Sequence, residues 1–225
     1  MNYHIEFDLD FKRNPYKGKF IVVEGIDAAG KTTQVRDLTK ILKKRGEKVY
    51  VTKNPTDGEI GKFIRRVLTG KTKIPQVSFQ FLFSADRHAQ QKELVEHLKK
   101  GEIVISDRYF WSALAYGIAD RGGVEVDRTG KTLLVSQAIL SMYDRHLIPD
   151  RTFFLDIPVA LSVKRLGKMP KTRELYEDES KLLEIDKAYR WLIKQFPKEI
   201  TVIDGTKEES KITDTVLSLV DSLKK

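Results

Sequence analysis

The sequence predicts an α/β fold: a five-stranded parallel sheet with helices on both faces. Three observations carry that prediction. Five short β-branched or aromatic runs recur along the 225 residues, longer stretches with helical periodicity separate them, and no internal repeat or Ser/Gly-rich linker divides the chain. Strands that alternate with helices pair in parallel, and the crossovers cover both faces of the sheet.

The elements follow in order. "FIVVE" (20–24) is the first strand, and residues 32–45 then place Val35, Leu38, Ile41 and Leu42 on one stripe that Gly46 stops. "KVYVT" (48–52) is the second strand, followed by helices near 58–69 and 77–99. "EIVISD" (102–107) is the third, with helices near 111–119 and 131–146 behind it. "RTFFLDI" (151–157) leads to helices near 158–166 and 178–195, and "EITVID" (199–204) to a last helix near 208–223. Residues 1–17 read as an N-terminal extension, and 18–225 as a single domain.

Hydrophobic residues at 40% and charged residues at 32% fit a globular chain with a charged surface. No apolar run approaches the roughly 18–20 residues of a membrane span, so no membrane partner is expected. The first residues lack the apolar block of a secretory signal, and the expected location is cytoplasmic. Without cysteine there is no disulfide framework or thiolate metal site, and the four histidines lack ligand spacing. The net charge of +9 fits a phosphate-rich partner, either nucleic acid or free nucleotides. Clusters such as "KKRG" (43–46) and "LKKG" (98–101) read more simply as basic helix ends closed by glycine.

Residues 25–32, Gly25-Ile26-Asp27-Ala28-Ala29-Gly30-Lys31-Thr32, match G-x-x-x-x-G-K-[ST] in full, with Thr33 following. A strand ends at Glu24 and a helix starts near Lys31, which is the context the motif needs. Gly25 and Gly30 permit turns that aim backbone N–H groups inward, and small side chains leave the cradle open. Helix N-terminal amides add partial positive charge. Lys31 can reach the β- and γ-phosphates, and the Thr32 hydroxyl can ligate Mg²⁺. The expected ligand is a nucleoside triphosphate with Mg²⁺.

A second constellation follows the third strand. In "ISDRYFWSALAY" (105–116), Asp107 can hold Mg²⁺ through water and Arg108 can grip a phosphate. In "FLFSADRHAQ" (81–90), Phe83 and Arg87 share one helical face, an aromatic plane with a guanidinium one turn away that suits a flat base carrying carbonyls. Each piece alone also has a structural reading: Asp107 as a helix N-cap, Phe83 as core, Arg87 as a surface cation.

Together with "NPTDGEIGKFIR", "PDRTFFLDIPVALSVKRL" and the late "ITVIDGT", these motifs occur in an order that resembles the thymidylate kinase family over roughly residues 18–224. The resemblance implies a P-loop kinase fold with a mobile basic lid, and in-line phosphoryl transfer from ATP to dTMP. It gives Lys31, Arg108, Arg165 and Arg173 catalytic roles, and Thr32 and Asp107 the metal. Asp27 matches the acid that orients the acceptor sugar at its 3′-hydroxyl. Phe83 resembles the residue that stacks on thymine, Arg87 the donor to its O4, and Tyr116 the aromatic that crowds the 2′ position. Lys53, Pro55 and Ser112 complete the substrate site. Ala28 carries no charge where some members carry a loop arginine, so the transferring cation is expected from residues 163–180, with Lys168 and Lys171 as further candidates. Family likeness also implies a homodimer; no stable nucleic-acid partner is expected.

The chain departs from the family at Lys53-Asn54, where members commonly read Arg-Glu, at Ala113, where a polar side chain often faces the base, and at Gly117, where Gln is frequent. Lys53 offers charge without a bidentate fork. These departures favour, as alternatives, a kinase of another deoxynucleoside monophosphate such as dUMP or of a nucleoside. From a different class, a nucleotide-gated nucleic-acid-binding module fits the net charge but leaves Phe83, Arg87 and Tyr116 without a role.

Overall fold

The structure, a computed structural model, describes residues 10–124, 131–169 and 174–223. A two-residue strand, β1 (Lys12–Arg13), precedes β2 (Phe20–Glu24), and α1 (Lys31–Lys44) follows. Next come β3 (Val49–Lys53), α2 (Glu59–Leu68), α3 (Gln76–Lys99), β4 (Ile103–Asp107) and α4 (Phe110–Asp120). Then α5 (Lys131–Leu140) runs into a 3₁₀ turn at Ser141–Tyr143, β5 (Leu147–Ile148) and β6 (Arg151–Asp156). The chain closes with α6 (Val159–Leu166), α7 (Glu179–Gln195), β7 (Ile200–Asp204) and α8 (Glu209–Asp221).

The five expected strands form one parallel sheet in the order β3-β4-β2-β6-β7. Its centre, β2, is buried at every residue, as a strand covered on both faces requires. Register decides where the site lies: Val23 sits beside Asp107 and Phe153, and Lys53 beside Asp107. The carboxyl ends of β2, β3 and β4 therefore open on one crevice, beside the switch of strand order at β2, where open α/β sheets bind ligands.

One detail differs from the sequence expectation. The helix expected over 131–146 stops at Leu140 and tightens into the 3₁₀ turn, because residues 147–148 are taken up in pairing with β1 (Lys12 beside Leu147, Arg13 beside Ile148). A two-residue ladder is too short to show in hydrophobic periodicity. The segment just before the main sheet is also tied down. Phe11 packs edge-on to Trp111 and Phe196 at 5.9 and 5.7 Å, and Asn14 Nδ2 donates to Gly18 O and Asp150 Oδ2 at 2.8 and 2.7 Å.

Candidate active site

The phosphate loop turns between β2 and α1 through three left-handed backbones: Gly25 (φ 149°), Ala28 (φ 54°) and Gly30 (φ 99°). A Cβ on Gly25 would stand 3.0 Å from the Leu155 carbonyl oxygen, so both conformation and space call for glycine there. Gly30 caps α1 with no side-chain hydrogen bond, which leaves the first-turn amides available to an anion. Lys31, 7% exposed, donates from Nζ to Ile26 O at 2.7 Å. Burial lowers its pKa to about 8, the charge of Arg108 adding to that effect while Asp27, Asp107 and Glu24 oppose it. The Thr32 hydroxyl donates to Asp107 Oδ2 at 2.6 Å. Thr33, Lys53 and Lys168 also line the open groove along the loop.

A second, narrower pocket meets this groove at Asp27 and Arg108. Arg108 donates from Nη2 to Asp27, and from Nη1 to Gly25 O at 3.0 Å and Ser112 Oγ at 3.2 Å. The Tyr116 hydroxyl donates to the other oxygen of Asp27 at 3.1 Å, and the guanidinium lies 5.3 Å from the Tyr116 ring centroid. Burial works against the charge on Arg108, but Tyr116, Asp27, Tyr189 and Glu24 keep its pKa well above the ordinary arginine value. Asp27, Arg108, Ser112 and Tyr116 are thus one bonded wall. Asp107 caps no helix: α4 begins at Phe110 with Tyr109 as its N-cap.

Phe83 and Arg87 also line that pocket. Arg87 is 2% exposed, so it is not a surface cation. It donates from Nη1 to Phe83 O and to the Tyr143 hydroxyl, both at 3.2 Å, and its guanidinium carbon lies 5.6 Å from the Phe83 ring centroid. Pro55 lines both cavities, whereas Lys53 is largely solvated and pairs with Asp57 at 3.1 Å.

The lid candidates divide. Arg165 reaches the loop, donating from Nη1 to Ala28 O at 3.1 Å, and Lys168 faces the groove. Lys171 and Arg173 lie outside the described residues.

The fold also brings in residues that the sequence did not single out. Glu24, 1% exposed, accepts from Tyr109 N (2.8 Å), Ser112 N (3.2 Å), Ser112 Oγ (2.6 Å) and Tyr189 OH (2.9 Å), and so fastens the start of α4 to the end of β2. Arg65 donates to Pro55 O at 2.7 Å and Asp57 Oδ1 at 2.9 Å and faces the groove. Gln80 and Tyr176 line the second pocket. An acid closing a fully apolar strand was a readable signal for Glu24; the others look like ordinary helix or loop residues.

A family model described as thymidylate kinase matches residues 23–216. The chain belongs to the thymidylate kinase family. A probable thymidylate kinase from Thermococcus onnurineus is 37% identical over 215 residues, covering 90% of this chain and 97% of that one. A thymidylate kinase from Thermoanaerobacter sp. is 32% identical over 207 residues, covering 91% and 98%. A solved thymidylate kinase structure from Candida albicans superposes with a TM-score of 0.75 at 24% identity, over 91% of this chain and 92% of that one, a likeness of fold.

Thymidylate kinases are phosphotransferases that use ATP and Mg²⁺. The residues present here fit the ion. A hydroxyl and a carboxylate oxygen meet at the loop mouth, and Mg²⁺ takes one or two such donors, with phosphate and water oxygens completing its shell. The described residues hold no group of three or more His, Cys, Asp or Glu that could hold a metal ion. No helix among them is long and apolar enough to cross a membrane.

Proposed function

We propose that this chain phosphorylates dTMP with ATP, in one kinase unit over 18–225 with a basic lid at about 163–180. The observation that carries the reading is the shared wall: the phosphate-loop groove and the Phe83–Arg87 pocket meet at Asp27 and Arg108. Two anionic ligands seated in them face each other head to head.

The loop amides from Gly25 to Thr33 and the Lys31 ammonium hold the triphosphate, and Arg108 holds the acceptor phosphate. That phosphate is already an anionic nucleophile near neutral pH, so no general base is required. Alignment and charge neutralisation carry the barrier. Thr32 and Asp107 would hold Mg²⁺, which supplies positive charge to the phosphate oxygens. Arg165, with Arg173, brings the lid cation to the transferring group, a contribution of roughly 10³–10⁵ in rate. Phe83 stacks on thymine, Arg87 donates to its carbonyl, Asp27 orients the 3′-hydroxyl, and Tyr116 excludes a 2′-hydroxyl. Lys53, Pro55 and Ser112 border the acceptor.

The protein works as a cytoplasmic homodimer in this reading. Its support is the apolar face of α3, where Val77 and Phe81 stand 53% and 57% exposed one turn apart. A coupled ADP-release assay tests the activity. Turnover is expected with dTMP, with dUMP reduced by the roughly 1–3 kcal/mol that one methyl group provides, and with dGMP rejected. Equal turnover of dGMP, or full activity in Lys31→Ala, would refute it.

A further inference from the structure

Gln80 reaches the second pocket from α3 and is 3% exposed. Neither its Oε1 nor its Nε2 has a hydrogen-bond partner. A longer contact from the amide to the Asp120 carboxylate offsets part of the effect of burial on that acid but falls short of hydrogen-bond geometry, and the carboxylate already accepts from the Tyr176 hydroxyl at 2.6 Å. A buried amide with both ends unpaired is uncommon in native proteins and calls for a reason. Packing holds it there. A Cβ on Gly117 of α4 would stand 3.4 Å from Cδ and Nε2 of Gln80 and 2.3 Å from Ile139 Cδ1, so the glycine makes room for the amide against α4.

The other polar groups of the pocket define what ligand could answer it. Asp27, Arg108, Ser112 and Tyr116 are bonded to one another at the phosphate end. Lining the same pocket as the Phe83 ring are the Arg87 guanidinium, which only donates and whose Nε is likewise unpartnered, and the Gln80 amide, which both donates and accepts. A donor-only group and a donor–acceptor pair in one pocket complement a flat ring edge that runs carbonyl, N–H, carbonyl.

Building on the acceptor-site reading above, we infer that Gln80 is a specificity-determining residue that reads this imide edge. Its Oε1 accepts from the ring N3–H and its Nε2 donates to one flanking carbonyl, while Arg87 takes the other. A cytosine ring has no N3–H to give and presents an amino group to a donor-only guanidinium, so the same pair rejects it. The contact is with the base, remote from the reacting phosphates, and acts through affinity.

The test compares equilibrium binding of dTMP, N3-methyl-dTMP and dCMP to wild type, Gln80→Met and Gln80→Ala, together with ligand-free melting and steady-state kinetics. Wild type is expected to prefer dTMP over both analogues by 100-fold or more. Both variants should bind dTMP at least tenfold more weakly and bind the analogues within threefold of wild type, which narrows the ratio. Their KM for dTMP rises while kcat stays within threefold. Gln80→Met, which keeps the length and removes the unpaired atoms, should melt no lower than wild type when free of ligand. Wild-type dTMP affinity in both variants, or equal weakening of all three ligands, overturns the role of Gln80 and leaves the acceptor site standing. Failure of the wild type to bind dTMP overturns both.

Discussion

The Thr32 hydroxyl donates to the Asp107 carboxylate across 2.6 Å, joining the first turn of α1 to the end of β4. Asp107 is held in register between β2 and β3, and Thr32 stands in the first turn of a helix, so the pair is set by the fold and not by a flexible loop. Asp107→Asn keeps the shape and removes the charge. The Mg²⁺ concentration for half-maximal activity should rise about 10–100-fold, as a Mg²⁺ titration in the ADP-release assay would read. An unchanged Mg²⁺ dependence would remove Asp107 from the metal site.

Lys31 works against the stability of the ligand-free protein. Its pKa is about 8 in the fold, lowered by burial, and 10.5 when unfolded. Below pH 8 both states carry the proton, and the fold bears the whole cost of a buried ammonium. Between pH 8 and 10.5 the unfolded chain holds more protons, so stability from this group rises with pH. Lys31→Met should therefore stabilise the ligand-free protein at pH 7 by about 1–3 kcal/mol, a gain that fades towards pH 10.5. Urea unfolding across pH checks it; a pH-independent difference would mean that the charge is not the cause.

Arg108 uses its guanidinium as a three-way clamp on Asp27, the Gly25 carbonyl and the Ser112 hydroxyl. A lysine keeps the charge but has no planar fork. Arg108→Lys should lower kcat/KM for the acceptor nucleotide about 100-fold, close to 3 kcal/mol of transition-state binding. Steady-state kinetics at saturating ATP would show it, and retention of more than a third of wild-type kcat/KM would contradict the clamp.

Behind the clamp, Tyr189 OH donates to Glu24 Oε2 at 2.9 Å and lies 2.8 Å from Ser112 Oγ. Tyr189→Phe leaves that buried carboxylate short of a donor and should cost about 1–2 kcal/mol in urea unfolding. A double-mutant cycle with Ser112→Ala should give a coupling above about 0.5 kcal/mol, since both hydroxyls serve one carboxylate. Strict additivity would show them independent.

The phosphate loop, the five strands, the α/β class and, apart from the early end of α5, the helix positions to within a few residues were legible in the chain of residues alone. Each of those depends on neighbours close along the chain: a glycine at a left-handed turn, a stripe at helical period, a β-branched run. Asp107, Arg108, Phe83 and Arg87 were also legible as chemistry-bearing, with Asp107, Phe83 and Arg87 left with a structural alternative. Tertiary structure removed the surface reading of Arg87 and the N-cap reading of Asp107. It alone decided that Asp27 would sit between Arg108 and Tyr116. The same holds for Glu24, which meets Tyr189 across 165 positions of chain, for Arg65 against the Pro55 carbonyl, and for Gln80 unpaired beside Gly117. The physical reason is register. Which side chains converge depends on how β2, β4 and β6 align and how α3, α4 and α7 pack on them, and no local periodicity encodes that alignment.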